Sequence, residues 1–468
     1  MKINVDNLIL KSDSYKFSQW KQYPENSSNL FSYFESRGGV YKDTLFFGLQ
    51  YYIKKFLSKP ITLNDVKEAS EFMKIHGVDF NYEGWEYIVK EHGGKLPVRI
   101  RAVPEGTVVP VGNCLMTIES TDPKVFWIVN WLETLLVKIW YATTVATQSY
   151  YLRKVIYDSL VKSSDDPDSE IDFKLHSFGY RGVSSEESAG IGGAAELLSF
   201  KGTDTIYGIL IANEYYDSGI CGFSINASEH STITSFGKDG EVDAYKNMIK
   251  QFAKPGAIFA CVSDSYDIYN AITNLWGTAL KNDIINSGAI LVIRPDSGNP
   301  LEVVPKCLYL MEEKFGSTLN SKGYKVLNNV RLIQGDGVNP TSIKQILNII
   351  NFNGFSTTNI AFGMGGASLQ GSSANTINRD TQKFAFKASS ITVNGESRDV
   401  FKSPITDSGK KSKCGRLDLV KWSNGEFQTV ILQDNVNSNE FSVMQTVYEN
   451  GELIKEENFN QIKNRICK

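Results

Sequence analysis

Between residues 171 and 384 the chain repeats one unit: a short β-rich run, a loop of glycine, aspartate or serine, then a helical pattern. The runs are Phe173–His176, Leu198–Lys201, Gly222–Ile225, Ile258–Val262, Ala289–Ile293, Val330–Gln334 and Asn359–Phe362. Strands that alternate with helices at this spacing are joined by crossovers, so they run parallel in one sheet covered by the helices. No GxGxxG opens the first unit, which points away from a dinucleotide fold and toward a closed or nearly closed barrel. In such barrels the loops after the strands build the site. Here those loops carry Phe178 and Arg181, Gly202-Thr-Asp-Thr205, Glu229-His-Ser231, Ser263-Asp-Ser-Tyr-Asp267, Arg294-Pro-Asp-Ser-Gly298, Gly335-Asp-Gly337 and Gly363-Met-Gly-Gly366.

One loop aspartate is ordinarily a turn or cap residue. An acid, a histidine or a glycine nest after each successive strand asks for a chemical explanation. The stretch from Lys174 to Ser185 joins an aromatic plane, Phe178, to a guanidinium, Arg181, in a loop loosened by Gly179 and Gly182. That pair suits a flat, polar ligand carrying phosphate; taken alone, the stretch equally accommodates Phe178 as core and Arg181 as a surface ion pair. Ser184-Ser-Glu-Glu187 then caps a small-residue helix through Ala195. Backbone amides in Gly363-Met-Gly-Gly366 suit a phosphate monoester. Asp296 and Asp336 suit ribose hydroxyls or a bound cation. Of the four histidines, His230 alone follows a barrel-type strand in an acid-flanked loop, whereas His176, inside its strand, reads as structural.

The flanks have another rhythm. Residues 1 to 165 mix helical and strand patterns, and Ser163-Ser-Asp-Asp-Pro-Asp-Ser-Glu170 is a polar connection that marks the boundary. Val98–Val103 alternates and ends in Pro-Glu-Gly, as an exposed strand meeting a turn does. Val125–Val145 is apolar but contains Asn130, Glu133 and Lys138, which fits a buried helix better than a membrane span. Beyond about 385 the barrel rhythm stops. Phe401-Lys-Ser-Pro404 and Lys410–Arg416 form a basic loop, either a solvated surface or a phosphate-collecting patch, and an alternating hairpin region follows to Lys468. The expected architecture is α/β: a parallel barrel-like domain over 166–384 and an α+β domain built from 1–165 and 385–468. A net charge of -3 and a pI near 6.0 argue against bulk nucleic-acid binding. Six cysteines without CxxC pairing and an N-terminus without a signal-like apolar run indicate a cytoplasmic protein with reduced thiols and no membrane partner.

Several runs resemble the nicotinamide phosphoribosyltransferases: Leu175-His-Ser-Phe-Gly-Tyr-Arg-Gly-Val-Ser-Ser, Phe200-Lys-Gly-Thr-Asp-Thr, Glu229-His-Ser-Thr-Ile-Thr, Val262-Ser-Asp-Ser-Tyr-Asp-Ile-Tyr-Asn, Ile293-Arg-Pro-Asp-Ser-Gly-Asn-Pro and Ile333-Gln-Gly-Asp-Gly. Asp13-Ser-Tyr-Lys and Tyr23-Pro resemble them near the N-terminus. The resemblance implies a type II enzyme that joins nicotinamide to 5-phosphoribosyl-1-pyrophosphate, giving nicotinamide mononucleotide and pyrophosphate. It further implies Mg²⁺, ATP as a co-substrate hydrolysed through a phosphorylated histidine, and a homodimer whose sites are completed by the other subunit's N-terminal region.

Carried over by motif, Phe178 and the partner's Tyr15 would sandwich the pyridine, with Asp13 in the same binding set. Arg181 and Asp204 would address the carboxamide. His230 matches the phosphorylated histidine, with Glu229 and Asp267 beside it and Asp296 completing the catalytic group. Arg294, Asp296, Gly335 and Asp336 would hold the ribose, and Gly365 and Gly366 its 5-phosphate. Arg37, Arg379, Lys387, Lys402 and Lys410 would gather phosphates across the dimer. No metal ligands are assigned. Two departures stand out: Gly371–Thr376 is inserted before Arg379, which leaves that arginine's placement open, and Ala385 replaces a serine of animal relatives. The sibling reaction, on nicotinate, would share fold and motifs, but its carboxylate would meet Asp204 as a like charge. A non-catalytic binding or signalling protein on this fold is a further class, against which the intact loop acids, His230 and glycine nest argue.

Overall fold

The computed structural model describes residues 3–372, 375–406, 411–432 and 441–466. They form two compact units, one of Gln148–Asn213 with Gly219–Ile377 and the other of Met1–Thr147, Glu214–Ser218 and Asn378–Lys468. The divisions thus fall after Thr147 and Ile377, not in the polar segment 163–170 or at 384.

The unit running from Gln148 holds seven strands: β1 Leu175–Ser177, β2 Gly202–Thr203, β3 Asn226–Ala227, β4 Ile258–Val262, β5 Ile290–Arg294, β6 Val330–Gln334 and β7 Ile360–Met364. All pair in parallel, in the order β2-β1-β7-β6-β5-β4-β3. The ends of this curled sheet are tied together. Phe223, just ahead of β3, makes a parallel bridge to Gly202 in β2, with Thr203 N donating to Phe223 O at 2.9 Å and Phe223 N to Lys201 O at 2.7 Å. Two expected strands shift: Leu198–Lys201 is the exit from a helix, and Gly222–Ile225 contributes only the Phe223 bridge before β3 begins.

Alternate residues of each strand face opposite ways. Phe259, Cys261, Leu291, Ile293, Leu332 and Phe362 join the large core under the helices, while Ala260, Val292 and Ile333 cluster with Phe178 and Ala361 on the inner side. Large side chains ordinarily fill a barrel of this kind. Here small inward residues, Ala227, Ala260 and Ala361, line a cavity of ≈ 480 Å³. The helices are α1 Glu186–Leu197, α2 Ile206–Tyr216, α3 His230–Thr234, α4 Glu241–Phe252, α5 Pro300–Phe315, α6 Pro340–Phe352 and α7 Gly366–Leu369, with a further helical stretch over 268–287. Ser185 caps α1, its Oγ accepting from Ser188 N at 3.1 Å, which satisfies one of the N–H groups a helix start leaves free.

The other unit is built on a seven-stranded antiparallel sheet that interleaves both ends of the chain. Its order is Glu396–Asp399, Phe384–Val393, Ser27–Ser36, Cys114–Ser120, Val98–Ala102, Gln445–Glu449, Glu452–Leu453. Val98–Ala102 is therefore an interior strand, paired on both sides, and not an exposed one. The apolar segment from Val125 is not one helix; it breaks into Ile128–Trp131, Glu133–Leu136 and the start of Ile139–Ser163. Its large apolar side chains, Trp131, Leu132 and Leu136 among them, are buried. Among the described residues no helix is long and apolar enough to cross a membrane. The C-terminal region contains the hairpin Leu417–Lys421 with Phe427–Ile431, but it ends in a helix, Phe459–Ile466.

Candidate active site

The loops after β1, β2, β5, β6 and β7 converge on one cleft of ≈ 810 Å³. Phe178, Arg181, Asp204, Arg294, Asp296, Gly335, Asp336, Gly365 and Gly366 all line it. Each was expected in the site, and the local chain explains each position. Phe178 follows β1 directly, and its backbone is fixed by Phe178 N donating to Met364 O at the end of β7, 2.9 Å. Its ring lies over Gly363, where a Cβ would fall 1.9 Å from Phe178 Cε2. Gly182 also lies close against Gly366, since a Cβ on it would come 2.8 Å from Gly366 Cα. Backbones that approach so closely admit no side chain, so the Arg181 loop and the nest after β7 form one surface.

Asp204 follows β2 and accepts from Ser224 Oγ at 2.5 Å through Oδ1. Its N–H donates to Ser177 O at 2.9 Å, which fixes the carboxylate beside the aromatic ring. Burial pushes the neighbouring His176 imidazole below its ordinary pKa, offset in part by the Asp204 charge and the Phe173 carbonyl. His176 Nε2 lies 3.0 Å from that carbonyl, consistent with a structural role. Arg294 Nη2 reaches Asp296 Oδ2 at 3.4 Å, and Gln334 Nε2 holds the Asp336 carbonyl at 2.7 Å.

His230 begins α3. Its Nε2 lies 3.6 Å from both Asp264 Oδ1 and Asp296 Oδ2, and its Nδ1 lies 3.1 Å from Ser265 Oγ. Glu229 precedes it and accepts from Ser231 Oγ. Asp267 does not face the histidine as expected. It caps the next helical stretch, Oδ1 accepting from Tyr269 N at 2.9 Å and Asn270 N at 3.0 Å. The carboxylate that this loop sets beside His230 is Asp264, which is 4% exposed in its side chain. Asp264 Oδ2 takes Asp296 N at 2.9 Å and Ser297 Oγ at 2.5 Å, and Oδ1 has no hydrogen-bond partner. Asp264 and Ser224 were both missed. Asp267, standing just before an apolar helical run, carried a cap signal that would have singled out Asp264; nothing in Cys221-Gly-Phe-Ser224 marks its serine.

The antiparallel unit has a cleft of its own, ≈ 680 Å³, lined by Asp13, Tyr15, Arg37, Arg379, Lys387 and Lys402 together with Glu133, Lys383 and Ala385. Arg379 lies here despite the inserted hairpin, in which Gly371 pairs with Thr376. Lys410 lies outside the described residues. Asp13 Oδ2 accepts from Thr134 Oγ1 at 2.7 Å, and Tyr15 is 59% exposed, with Lys16 Nζ 5.3 Å from its ring centroid. Arg37 Nε donates to the buried Glu35 at 2.8 Å. Burial lowers the Arg37 pKa, but the Glu35 hydrogen bond and charge outweigh it and raise the value overall. Lys387 is pushed down, first by burial and further by Arg37 and Lys402, although Glu133 opposes this. Arg37, Lys387 and Lys402 on one cleft suit an anion. Among the described residues no cluster of three or more His, Cys, Asp or Glu forms a ready metal cage.

Two family models match the chain. Residues 173–452 match the nicotinate phosphoribosyltransferase (NAPRTase) family, and residues 7–100 match the N-terminal domain of nicotinamide phosphoribosyltransferase. The chain is 52% identical over 462 residues to a nicotinamide phosphoribosyltransferase of Xanthomonas campestris, covering 98% of both chains. It is 30% identical to one of Acinetobacter baylyi, over 100% of this chain and 97% of that one. Among solved structures, nicotinate-nucleotide pyrophosphorylase of Pyrococcus furiosus shares the fold with a TM-score of 0.63 at 15% identity, over 100% of this chain and 97% of that one. Human nicotinic acid phosphoribosyltransferase does so with a TM-score of 0.57 at 14% identity, over 97% and 93%. By the long family match and the relative at 52% identity, the chain belongs to the family of nicotinate and nicotinamide phosphoribosyltransferases.

Proposed function

We propose that the protein transfers the phosphoribosyl group of 5-phosphoribosyl-1-pyrophosphate to nicotinamide, forming nicotinamide mononucleotide and pyrophosphate. The observation that carries this reading is the convergence of Phe178, Asp204 and the Gly365-Gly366 turn on one cleft: a plane for a pyridine, an acceptor for an amide, and amides for a phosphate. The pyridine nitrogen lone pair forms the new bond to C1 as the C1–O bond to pyrophosphate breaks, and the electron pair leaves with pyrophosphate. The pyridine nitrogen carries no proton, so no general base is required. What is required is alignment and stabilisation of charge. Phe178 supplies the plane. Arg181 and Arg294 line the same cleft and meet anionic oxygens. Asp296 and Asp336 offer hard oxygen donors that fit Mg²⁺, which binds proteins through one or two carboxylates plus substrate phosphates. When bound, Mg²⁺ would neutralise the departing pyrophosphate.

Three finer elements belong to the same reading. His230 takes the γ-phosphoryl group of ATP: a ring nitrogen lone pair forms the new P–N bond as the P–O bond to ADP breaks and ADP leaves, while the carboxylates of Asp264 and Asp296, each 3.6 Å from Nε2, balance the positive charge the ring acquires. The active form is a homodimer in which the Tyr15 cleft of one protomer completes the Phe178 cleft of its partner. The protein works in the cytoplasm. A second reading, nicotinate as substrate, is disfavoured by the Asp204 carboxylate. Ser224 occupies Oδ1, which leaves Oδ2 to accept from an amide NH₂, while a nicotinate oxygen would face a like charge. Sites that hydrogen-bond a substrate group discriminate strongly against one that cannot answer it. Competition between nicotinamide and nicotinate in one reaction tests this choice. Wild type is expected to favour nicotinamide by at least about a hundredfold in kcat/KM, and Asp204→Asn to narrow that ratio. An unchanged ratio in the folded variant would place selectivity elsewhere.

A further inference from the structure

Beneath the cleft lies a carboxyl group that the reaction does not use. Glu196 is near the end of α1, 7% exposed, at the close of the run Ala189–Leu197, whose other residues are glycine, alanine, isoleucine and leucine. The hydroxyls of Ser177 and Ser368 face it. Ser177 ends β1, next to Phe178, and its Oγ lies 2.9 Å from Thr205 Oγ1 in the Asp204 loop. Ser368 is in α7, and its Oγ donates to Gly365 O at 2.9 Å. Gln148 grips the same turn, its Nε2 donating to Ser368 O at 3.1 Å and Ala367 O at 3.3 Å. Glu196 Oε2 has no hydrogen-bond partner. A buried carboxyl with a bare oxygen is costly when ionised.

We infer, on the phosphoribosyltransferase reading, that Glu196 is a positioning residue: a neutral carboxylic acid that keeps the Phe178 loop in register with the Gly365-Gly366 phosphate nest. As an acid it has one O–H to offer and one acceptor oxygen to keep, which suits two facing hydroxyls in a closed space. Burial pushes its pKa up to about 7, and the Ser177 and Ser368 hydroxyls lower it only in part. No charged group contributes to that value. The charges on neighbouring elements are His176 in β1, Asp204 after β2, and Glu186 and Glu187 at the opposite end of α1, and none of them acts on Glu196. Ionisation therefore happens near neutrality and places a bare negative charge under the nest that must receive a phosphate.

The test is the pH dependence of KM for 5-phosphoribosyl-1-pyrophosphate between pH 6 and 8.5 in wild type, Glu196→Gln and Glu196→Leu. If the neutral form alone binds, KM in wild type rises above pH 7 toward about tenfold per pH unit, with kcat moving less. Glu196→Gln, a neutral group of nearly the same shape, is expected to show a low and flat KM. Glu196→Leu is expected to show a raised KM at every pH without the step. The substrate's phosphates titrate with a midpoint near pH 6 and affect all three proteins alike. A step of equal size in wild type and Glu196→Gln overturns this proposal alone. Absence of binding by wild type at every pH overturns it together with the functional reading.

Discussion

Gly363→Ala adds one methyl group in β7, and the structure fixes where it would go. Its Cβ would fall 1.9 Å from Cε2 of Phe178, 2.4 Å from Cδ2 and 2.7 Å from Cζ. Carbon atoms in contact sit about 3.5 Å apart, so the ring must move by about 1.6 Å. The Phe178 backbone cannot carry that movement, because its N–H is held by Met364 O at 2.9 Å and its loop lies against the nest. The ring therefore swings, out of the plane on which a pyridine stacks. Overpacking costs about 1–3 kcal/mol of stability, which a folded unit of this size tolerates. The ligand loses an aromatic contact of about 0.5–1.5 kcal/mol, and misplacement near the reacting atoms adds up to about a hundredfold. The expectation is a fall of about 10- to 100-fold in kcat/KM for nicotinamide, with KM for the ribose substrate altered about threefold or less. Steady-state kinetics on Gly363→Ala, Phe178→Ala and the double variant separate the routes. If the methyl acts through the ring, adding it to Phe178→Ala costs no more than about twofold. A further tenfold loss in that background would refute the reasoning and put the effect in the phosphate nest.

Other expectations follow from the same geometry. His230→Ala should abolish nicotinamide-stimulated ATP hydrolysis while keeping residual synthesis without ATP, because the stacking and phosphate groups remain; equal coupling in variant and wild type would remove His230 from the mechanism. Mixing strongly impaired Tyr15→Ala with strongly impaired Phe178→Ala subunits should raise activity to about one quarter of wild type at full random exchange, since one site of each mixed dimer keeps both aromatics; no recovery after verified exchange would argue against shared sites. Stability offers a separate readout of Glu196. An acid whose pKa rises from 4.5 to about 7 on folding holds its proton in the folded state while the unfolded chain has lost it. The folded state is therefore favoured most below about 4.5 and loses up to about 3 kcal/mol as pH rises through 7. Glu196→Gln should lose less stability than wild type between pH 5 and 8 in denaturant titrations, and parallel curves would contradict the assigned neutral acid.

Much of this site was legible because each binding feature is local in sequence. Phe178 and Arg181 are three residues apart in one loop, and Gly335-Asp336 and Gly365-Gly366 are adjacent pairs, so a strand followed by such a loop places them at the same end of a parallel sheet. What the chain could not show directly were relations set by packing. Two aspartates compete in Ser263-Asp-Ser-Tyr-Asp267, and which one meets His230 depends on which one caps the following helix. Phe223 closes the sheet although its run is too exposed and too short for a strand of its own, because the bridge is made by its backbone. The break in the apolar segment after Val125 arises where Leu132 and Val137 serve as junctions between short helices, and no glycine or proline marks those positions in the sequence. Glu196 could be noticed as an acid in an apolar helix, but the hydroxyls that face it come from elements about 20 and 170 residues away, and only the folded sheet brings them together.

The central claim is a bond between a pyridine nitrogen and C1 of a ribose phosphate. Purified protein incubated with nicotinamide, 5-phosphoribosyl-1-pyrophosphate and Mg²⁺, with and without ATP, should release nicotinamide mononucleotide and pyrophosphate in equal amounts, resolved by chromatography. Phe178→Ala should cut that release by at least about tenfold. Folded wild-type protein that yields no mononucleotide under either condition would contradict the account.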